Sequence, residues 1–591
     1  MCKQLSCFLA LALMLAYSTV VNAQVALLPT EAIPFKTNAK TTSTLTTVDV
    51  AGQPFQKAYR ITISNPSVNE SFTLRYTIDS VVQKGDVMLL SFYSRSRQSK
   101  KETGESFLEI SLDQVIAGKY TWPPLVERGM SFGSSWVLTQ IPFVASKDVA
   151  TGDLSLVIKC GSFPQQFELG QLALVNYKGA KKVADLPRSI VHYDGDAPDA
   201  AWRKAAADRI EKHRKGNLAV RVVDAVGKPV TDASVAVRMT RSAFAWGTAT
   251  NSKLLMDTVS AEAKTYRDTL LRYFNKVVFE NEMKSKNWAT TNHDQTKRAV
   301  AWLRSHDIPA RGHVMVWPSW QHSPHLIKYQ RDKAALGTAI MEQIADEMAV
   351  MNGQFVEWDV VNEPYAHHSI IDSLGGKSVM VKWFEAARKN TPGVKLFLNE
   401  YTMFHGDGPG SENFYNNVKY LIDNKAPIEG IGEQGHIGGT PPAIELVLQR
   451  LDHFAEFGLP IQISEFDITS DDDDFKARYM RDFMTAIFSH PATTGFVQWG
   501  FWEKAHWIPA GALWDKNWQP RAHGKVFTDL VSKVWATNAT GTTGKDGRFA
   551  VRGFTGDYEI VVKKGTAKTV QKVMLGADGQ LVTVKLMAKK G

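Results

Sequence analysis

Phe355-Val-Glu-Trp-Asp-Val-Val-Asn-Glu-Pro364 is a short run of strand-forming residues that stops on Asn362, Glu363 and a proline. A second run, Ile461-Gln-Ile-Ser-Glu-Phe-Asp-Ile468, carries Glu465 near its end, 102 positions after Glu363. Two carboxyl groups brought together from strand ends suit the cleavage of a glycosidic bond with retention. One carboxylic acid protonates the leaving oxygen while the other carboxylate, about 5–5.5 Å away, attacks the anomeric carbon.

Working outward, apolar strand-like runs at 243–249, 274–279, 308–316, 355–361, 394–398, 428–431, 461–463 and 495–499 alternate with helix-length amphipathic stretches. Eight βα units within residues 241–536 predict a (β/α)8 barrel. Between the third and fourth strands, Ala335, Ile340, Ile344, Met348 and Met351 recur at helical spacing over 333–351. That stripe is expected to face the barrel, leaving Glu342, Asp346 and Glu347 in water.

Both flanks read as β structure. Residues 24–185 alternate apolar and polar positions in short runs punctuated by turn residues, which predicts a β-sandwich. Its stretches 84–95 and 166–174 resemble jelly-roll carbohydrate-binding modules, and Trp122, Trp136 and Tyr93 suit either a glycan-facing surface or core packing. Residues 186–215 read as a linker helix capped by Asp199. Two strands within 216–240 and a series within 537–591 look like halves of one small transthyretin-like sandwich, into which the barrel is inserted.

The first residues, with Lys3, an apolar run over 8–17 and Val-Asn-Ala at 21–23, read as a secretory signal over 1–23. The expected location is extracellular or periplasmic. Removing Cys2 and Cys7 with that segment leaves Cys160 alone, so stability must come from packed cores. The net charge of +9 over 591 residues is diffuse and gives no support for nucleic-acid binding. No later stretch approaches the length of a membrane span, and a monomer is expected.

Polar residues gather where the predicted strands end: Glu280, Asn281 and Lys284 after the second, His313 and Trp317 after the third, Tyr401 after the fifth. Gln434 and His436 follow the sixth, Glu465 and Asp467 the seventh, Trp499 the eighth, with Trp507 in a later loop. If Gln434 and His436 share a strand face, Glu433 points the other way and takes no part in the chemistry. The run Asp471 to Asp474 suits a hydrated loop better than calcium, and His367-His368 has no further ligands at metal spacing. Neither a metal nor a cofactor is expected.

In order, Phe-Asn-x-Val-x-x-Glu-Asn-x-Met-Lys, Arg-Gly-His-x-x-x-Trp, Trp-Asp-Val-x-Asn-Glu, Gly-Ile-Gly-x-Gln-Gly-His and Ile-x-Ile-x-Glu-x-Asp-Ile resemble glycoside hydrolase family 10, the endo-β-1,4-xylanases. Arg241-Ser-Ala-Phe-Ala-Trp-Gly-Thr-Ala249 and the split sandwich look most like its plant-type branch. The resemblance implies Glu363 as acid/base, Glu465 as nucleophile, and Asn362 on the sugar 2-hydroxyl. Gln434, His436 and Asp467 become supporting residues; Glu280, Asn281, Lys284, His313, Trp317, Trp320, Tyr401, Trp499 and Trp507 line the substrate cleft. The implied partner is xylan or a related β-linked polysaccharide. Two departures stand out: Pro318-Ser319-Trp320 where His-Ser-Gln is usual, and Asn399-Glu-Tyr-Thr402 where Asn-Asp-Tyr-Asn is common.

Overall fold

The computed structural model describes residues 24–586, apart from 31, 39–42, 65–71, 100–105, 161–163, 191, 291–292, 405–408, 438–440 and 471. The expected signal segment and Asp471 therefore lie outside the described residues. The chain divides after Tyr193 into two compact units.

The first unit is an antiparallel sandwich. One sheet runs Thr44–Asp49, Lys57–Ile63, Gln165–Lys178, Val87–Ser99, Val137–Val144, and the other Lys36–Thr37, Thr73–Ile78, Leu154–Lys159, Ser106–Ile116, Lys119–Phe132. Alternate side chains such as Leu74, Leu90, Phe92, Leu112, Leu156 and Phe167 point inward and fill the core. Cys160 is buried there, and burial pushes its thiol up, away from the reactive thiolate. Trp136 packs edge-on against Phe55 under Arg95, and Tyr93 lies 5.1 Å from Phe55. Trp122 instead is 56% exposed.

In the second unit the strands Ala245–Thr250, Lys276–Phe279, Ala310–Gly312, Glu357–Asn362, Lys395–Glu400, Gly430–Glu433, Ile461–Ile468 and Thr493–Gln498 pair in parallel, in chain order. The first also pairs with the eighth, which closes the barrel. The third strand is shorter than its apolar run, because Pro309 has no N–H for the ladder and the chain turns away after Gly312. It meets the fourth again at Met315 and Val316, whose N–H groups reach the Asp359 and Val360 carbonyls.

The helix Lys333–Val350 starts where Asp332 accepts the Ala335 N–H at 2.9 Å, and buries Leu336, Ile340, Ile344 and Met348. Glu347 corrects the expectation of a solvated face, since it is wholly buried and burial raises its carboxyl well above the usual range. A helical stripe is wider than its apolar residues, and Glu347 lies next to Met348 on it. Gln343, one turn back, donates to Glu347 at 3.2 Å. The helix Ala201–His213 is not capped by Asp199: Ala200 holds the cap position, without a side-chain bond. It is fixed instead by Arg203, which donates to both oxygens of Asp482.

The last strand of that helical lead-in, Lys215–Val223, lies between Arg548–Phe554 and Gln580–Lys585. Likewise Ser234–Ser242 lies between Asn538–Thr542 and Gly556–Lys564, with Ala567–Leu575 beyond. Leu218, Val220, Val222, Val235 and Val237 from the front of the barrel share one core with Tyr558, Ile560, Val562, Val582 and Val584 from behind it. Neither half has a core of its own. A fragment of residues 537–591 should therefore be unfolded by circular dichroism and regain sheet structure when residues 215–242 are supplied. A tail that folds by itself would show that the two halves are independent.

Candidate active site

Strand four delivers Asn362 and then Glu363, whose backbone sits at φ +54 with its N–H on the Asn399 carbonyl at 2.9 Å. A left-handed non-glycine residue costs on the order of 1–3 kcal/mol and persists only where its surroundings fix it. Here the turn aims the carboxyl into the barrel mouth. Its Oε1 accepts from Gln434 Nε2 at 2.7 Å and Asn362 Nδ2 at 3.2 Å. Burial, with Glu465 nearby, raises the Glu363 carboxyl above its ordinary value, despite the Gln434 bond.

Strand seven is irregular between Ile463 and Phe466. Such a bulge re-aims side chains, and here two consecutive residues reach Asn399. Ser464 Oγ donates to Asn399 Oδ1 at 2.6 Å, and Asn399 Nδ2 donates to Glu465 Oε1 at 2.7 Å. Asn399 Nδ2 also lies 2.8 Å from Asn362 Oδ1, so one amide ties strands four, five and seven together. Gly432 leaves room for it: a Cβ there would lie 2.2 Å from Asn399 Oδ1.

Glu465 is in the opposite electrostatic state. Burial alone would raise its carboxyl, but His313, His436 and Lys284 outweigh that and hold it below the usual value. His436 Nε2 is 3.5 Å from Glu465 Oε2, and its Nδ1 is 3.0 Å from Asp467 Oδ1. Trp507 Nε1 donates to Asp467 Oδ2 at 2.6 Å. His313 Nδ1 contacts Asp359 Oδ2 at 3.0 Å and lies 3.9 Å from Glu465 Oε1. One carboxyl is thus biased toward its protonated form and its neighbour toward its ionised form, the division that a general acid and a nucleophile require.

Around the pair, Lys284 Nζ reaches Asn281 Oδ1 at 3.2 Å and stands 5.6 Å over the Trp317 ring. Glu280, raised mainly by burial, lies close enough for Lys284 to act against that rise. Trp499 is buried with its ring edge-on to His313 and His436, whereas Trp507 is 48% exposed with its ring 5.0 Å from that of His436. Tyr401 is half-buried, its N–H on Glu400 Oε1, and burial beside Glu400 and Glu363 pushes its phenol up to about 12. Trp320 is half-buried on the loop after strand three and is tied by its N–H to Ser369 Oγ at 3.3 Å.

Glu433 is wholly buried and holds main chain, accepting from the Met403 and Gly435 N–H groups. The strand stops at Glu433, and Gly435 has φ +78, so Gln434 and His436 are separated by a turn rather than by strand alternation. A Cβ on Gly435 would lie 2.9 Å from Ile463 Cγ2. That turn sends Gln434 to Glu363 and His436 to Glu465.

Residues 236–529, which include every strand of the barrel, match the profile described as glycosyl hydrolase family 10. The barrel belongs to this family. Among similar proteins, the anti-sigma-I factor RsgI6 of Acetivibrio thermocellus is 31% identical over 369 residues, 61% of this chain and 46% of its own length. Endo-1,4-beta-xylanase 1 of Arabidopsis thaliana is 29% identical over 389 residues, 64% of this chain and 40% of its own. The chain thus spans less than half the length of these two relatives. Native xylanase 10B from Thermotoga maritima aligns at 24% identity with a TM-score of 0.45, covering 49% of this chain and 96% of its own.

Within the family 10 barrel, two residues make contacts that the sequence does not mark. Asn399 was visible only as a polar residue at a strand end. His367 shows in the sequence only as half of a His-His pair without further ligands at metal spacing, yet its Nε2 lies 3.3 Å from Glu363 Oε2. Its spacing of four from Glu363 would be a usable signal only once the chain after the strand is known to coil, as the His367 N–H to Glu363 carbonyl bond shows.

The His436 pair carries a pH signature. Burial lowers the imidazole, but Asp467 and Glu465 overcome this and raise it to about 10. A raised group gives stability that is whole below its unfolded value, about 6.5, and is lost as pH rises through the folded value. Between pH 7 and 10 the melting temperature of the unaltered chain should fall more steeply than that of His436→Asn in scanning calorimetry. Parallel curves would mean the pair contributes nothing.

Proposed function

We propose that this chain is a secreted, retaining endo-1,4-β-xylanase that cuts internal β-1,4-xylosidic bonds. The observation that carries the reading is the paired state of Glu363 and Glu465, one carboxyl raised and buried, the other held ionised by His313, His436 and Lys284.

Glu465 attacks C1 of the sugar while the bond from C1 to the departing oxygen breaks and Glu363 gives that oxygen its proton. The resulting glycosyl ester on Glu465 is then displaced by water, whose proton returns to Glu363. Asn362 stands beside both groups, held by Asn399 and Gln434, where it can hydrogen-bond the sugar 2-hydroxyl. The rings of Trp499, Trp507 and Trp317 suit a pyranose chain, which stacks on flat apolar surfaces. Lys284, Asn281 and Glu280 offer donors and acceptors to its hydroxyls. The charged and apolar pattern of residues 1–23 supports export, and no helix among the described residues is long and apolar enough to cross a membrane.

In this reading activity falls at low pH as Glu465 takes a proton and at high pH as Glu363 loses one. Glu363→Ala should lower kcat/KM on phenyl β-xylobioside by about 10²–10⁴ for lost general-acid help while sparing kcat/KM on glycosides with good leaving groups. Steady-state kinetics across a leaving-group series decides it; an unchanged rate on phenyl β-xylobioside rules out the acid assignment. Trp320, in place of the usual polar residue, favours a second reading, a related retaining glycosidase on another β-linked glycan. Sugar release from xylan, cellulose, mannan and mixed-linkage glucan separates the two.

A further inference from the structure

The two oxygens of Glu363 have different surroundings. Oε1 accepts two N–H groups, from Gln434 and Asn362. Two donors aimed at one oxygen leave it no room for a proton, so the acid proton belongs on Oε2. Facing Oε2 is the Nε2 atom of His367 at 3.3 Å. The imidazole is itself held in place: its ring lies edge-on to His322 at 4.4 Å, and His322 stacks flat on Trp317 at 3.8 Å with 3° between the planes. His322 Nδ1 contacts Ser319 Oγ at 2.8 Å.

We propose that His367 is a positioning residue for Glu363, accepting the acid proton on Oε2 as a hydrogen bond and so fixing that proton at the barrel mouth. This rests on the reading of Glu363 as acid/base. The geometry requires a lone pair on Nε2, hence a neutral ring. The groups around it allow that. His368, which is paired with Asp372, and His322 from the loop after strand three are its titratable neighbours, and Lys286 and Lys284 act in turn on His322. Burial, with His368, holds His367 below its ordinary value, and burial beside His367 takes His322 to about 4.

A neutral lone pair facing Oε2 acts twice. It favours the protonated carboxyl before the first step, and it makes the carboxylate a stronger base toward water in the second. Loss of the imidazole therefore moves the basic limb of the pH profile toward acid, because the ionised form of Glu363 is no longer disfavoured. A residue that merely filled space would change rates without moving that limb.

The test uses the full chain and kcat/KM against pH on phenyl and dinitrophenyl β-xylobioside. For His367→Phe the basic limb on the phenyl substrate should move down by about 0.5–1 pH unit and the rate fall about tenfold, one lost hydrogen bond at the reacting acid. His367→Gln, whose carbonyl oxygen also accepts, should restore most of the shift, and the dinitrophenyl rate should change little. A basic limb that stays in place, with both substrates slowed alike, overturns the proposal. Should the variants fail to fold, Glu363→Gln provides the second measurement: by NMR the His367 ring titration should differ from that of the unaltered chain, and identical titrations overturn the proposal. Full activity of Glu363→Ala on phenyl β-xylobioside would instead remove the acid assignment itself, a separate outcome.

Discussion

The barrel is organised around charges that have no access to water. Arg311 is wholly buried and is gripped by Asp359 through both its Nε and a terminal nitrogen, while a second terminal nitrogen reaches Glu357 and Gln462. Lys276 Nζ adds a 2.6 Å contact to Glu357, whose other oxygen accepts from Gln462. Taking such ions out of water costs several kcal/mol each, and the cost is offset only while every partner is present. Two cations and two carboxylates balance here, and the guanidinium also lies 4.3 Å over the Phe397 ring. The register of strands two, three, four and seven is thereby fixed, since a slip of one residue would strand a charge.

The same cluster reaches the chemistry. Asp359 shares its Oδ2 between Arg311 and His313, and His313 faces Glu465. The ionised state of Glu465 thus rests on a chain of contacts that runs from Arg311 through Asp359 and His313 to its carboxylate. Above it, Asn399 couples the two halves: it bonds Glu465 directly and Glu363 through Asn362. Glu363 and Glu465 are held by one amide, although strands four and seven are far apart in sequence.

Much of this was legible in the sequence because the relevant signals are local. Apolar runs at barrel spacing, strand-end glutamates and the Gln434–His436 pair are each visible within a few residues. What stayed hidden depends on non-local geometry. Glu357 and Asp359 alternate within an otherwise apolar strand, a pattern that periodicity could have flagged as an inward polar face, but their partners Lys276 and Arg311 lie on other strands. By residue type Glu347 belongs in water, and only packing shows that its position faces inward. The bulge that turns both Ser464 and Glu465 toward Asn399 has no marker in Ile-Gln-Ile-Ser-Glu. Asp199, read as a cap, lost that place because the helix begins two residues later, held by Arg203.

The divided sandwich has a consequence for how the chain is made. Strands Lys215–Val223 and Ser234–Ser242 emerge from the ribosome some 300 residues before their hydrogen-bonding neighbours. At about 5–20 residues per second they wait roughly 15–60 s with apolar faces and ladder edges open. Barrel folding in that interval brings residues near 243 and 537 together and turns a long loop closure into a short one. The sandwich then serves as a final clasp: within one chain, the folded barrel is what brings its two halves within reach of each other.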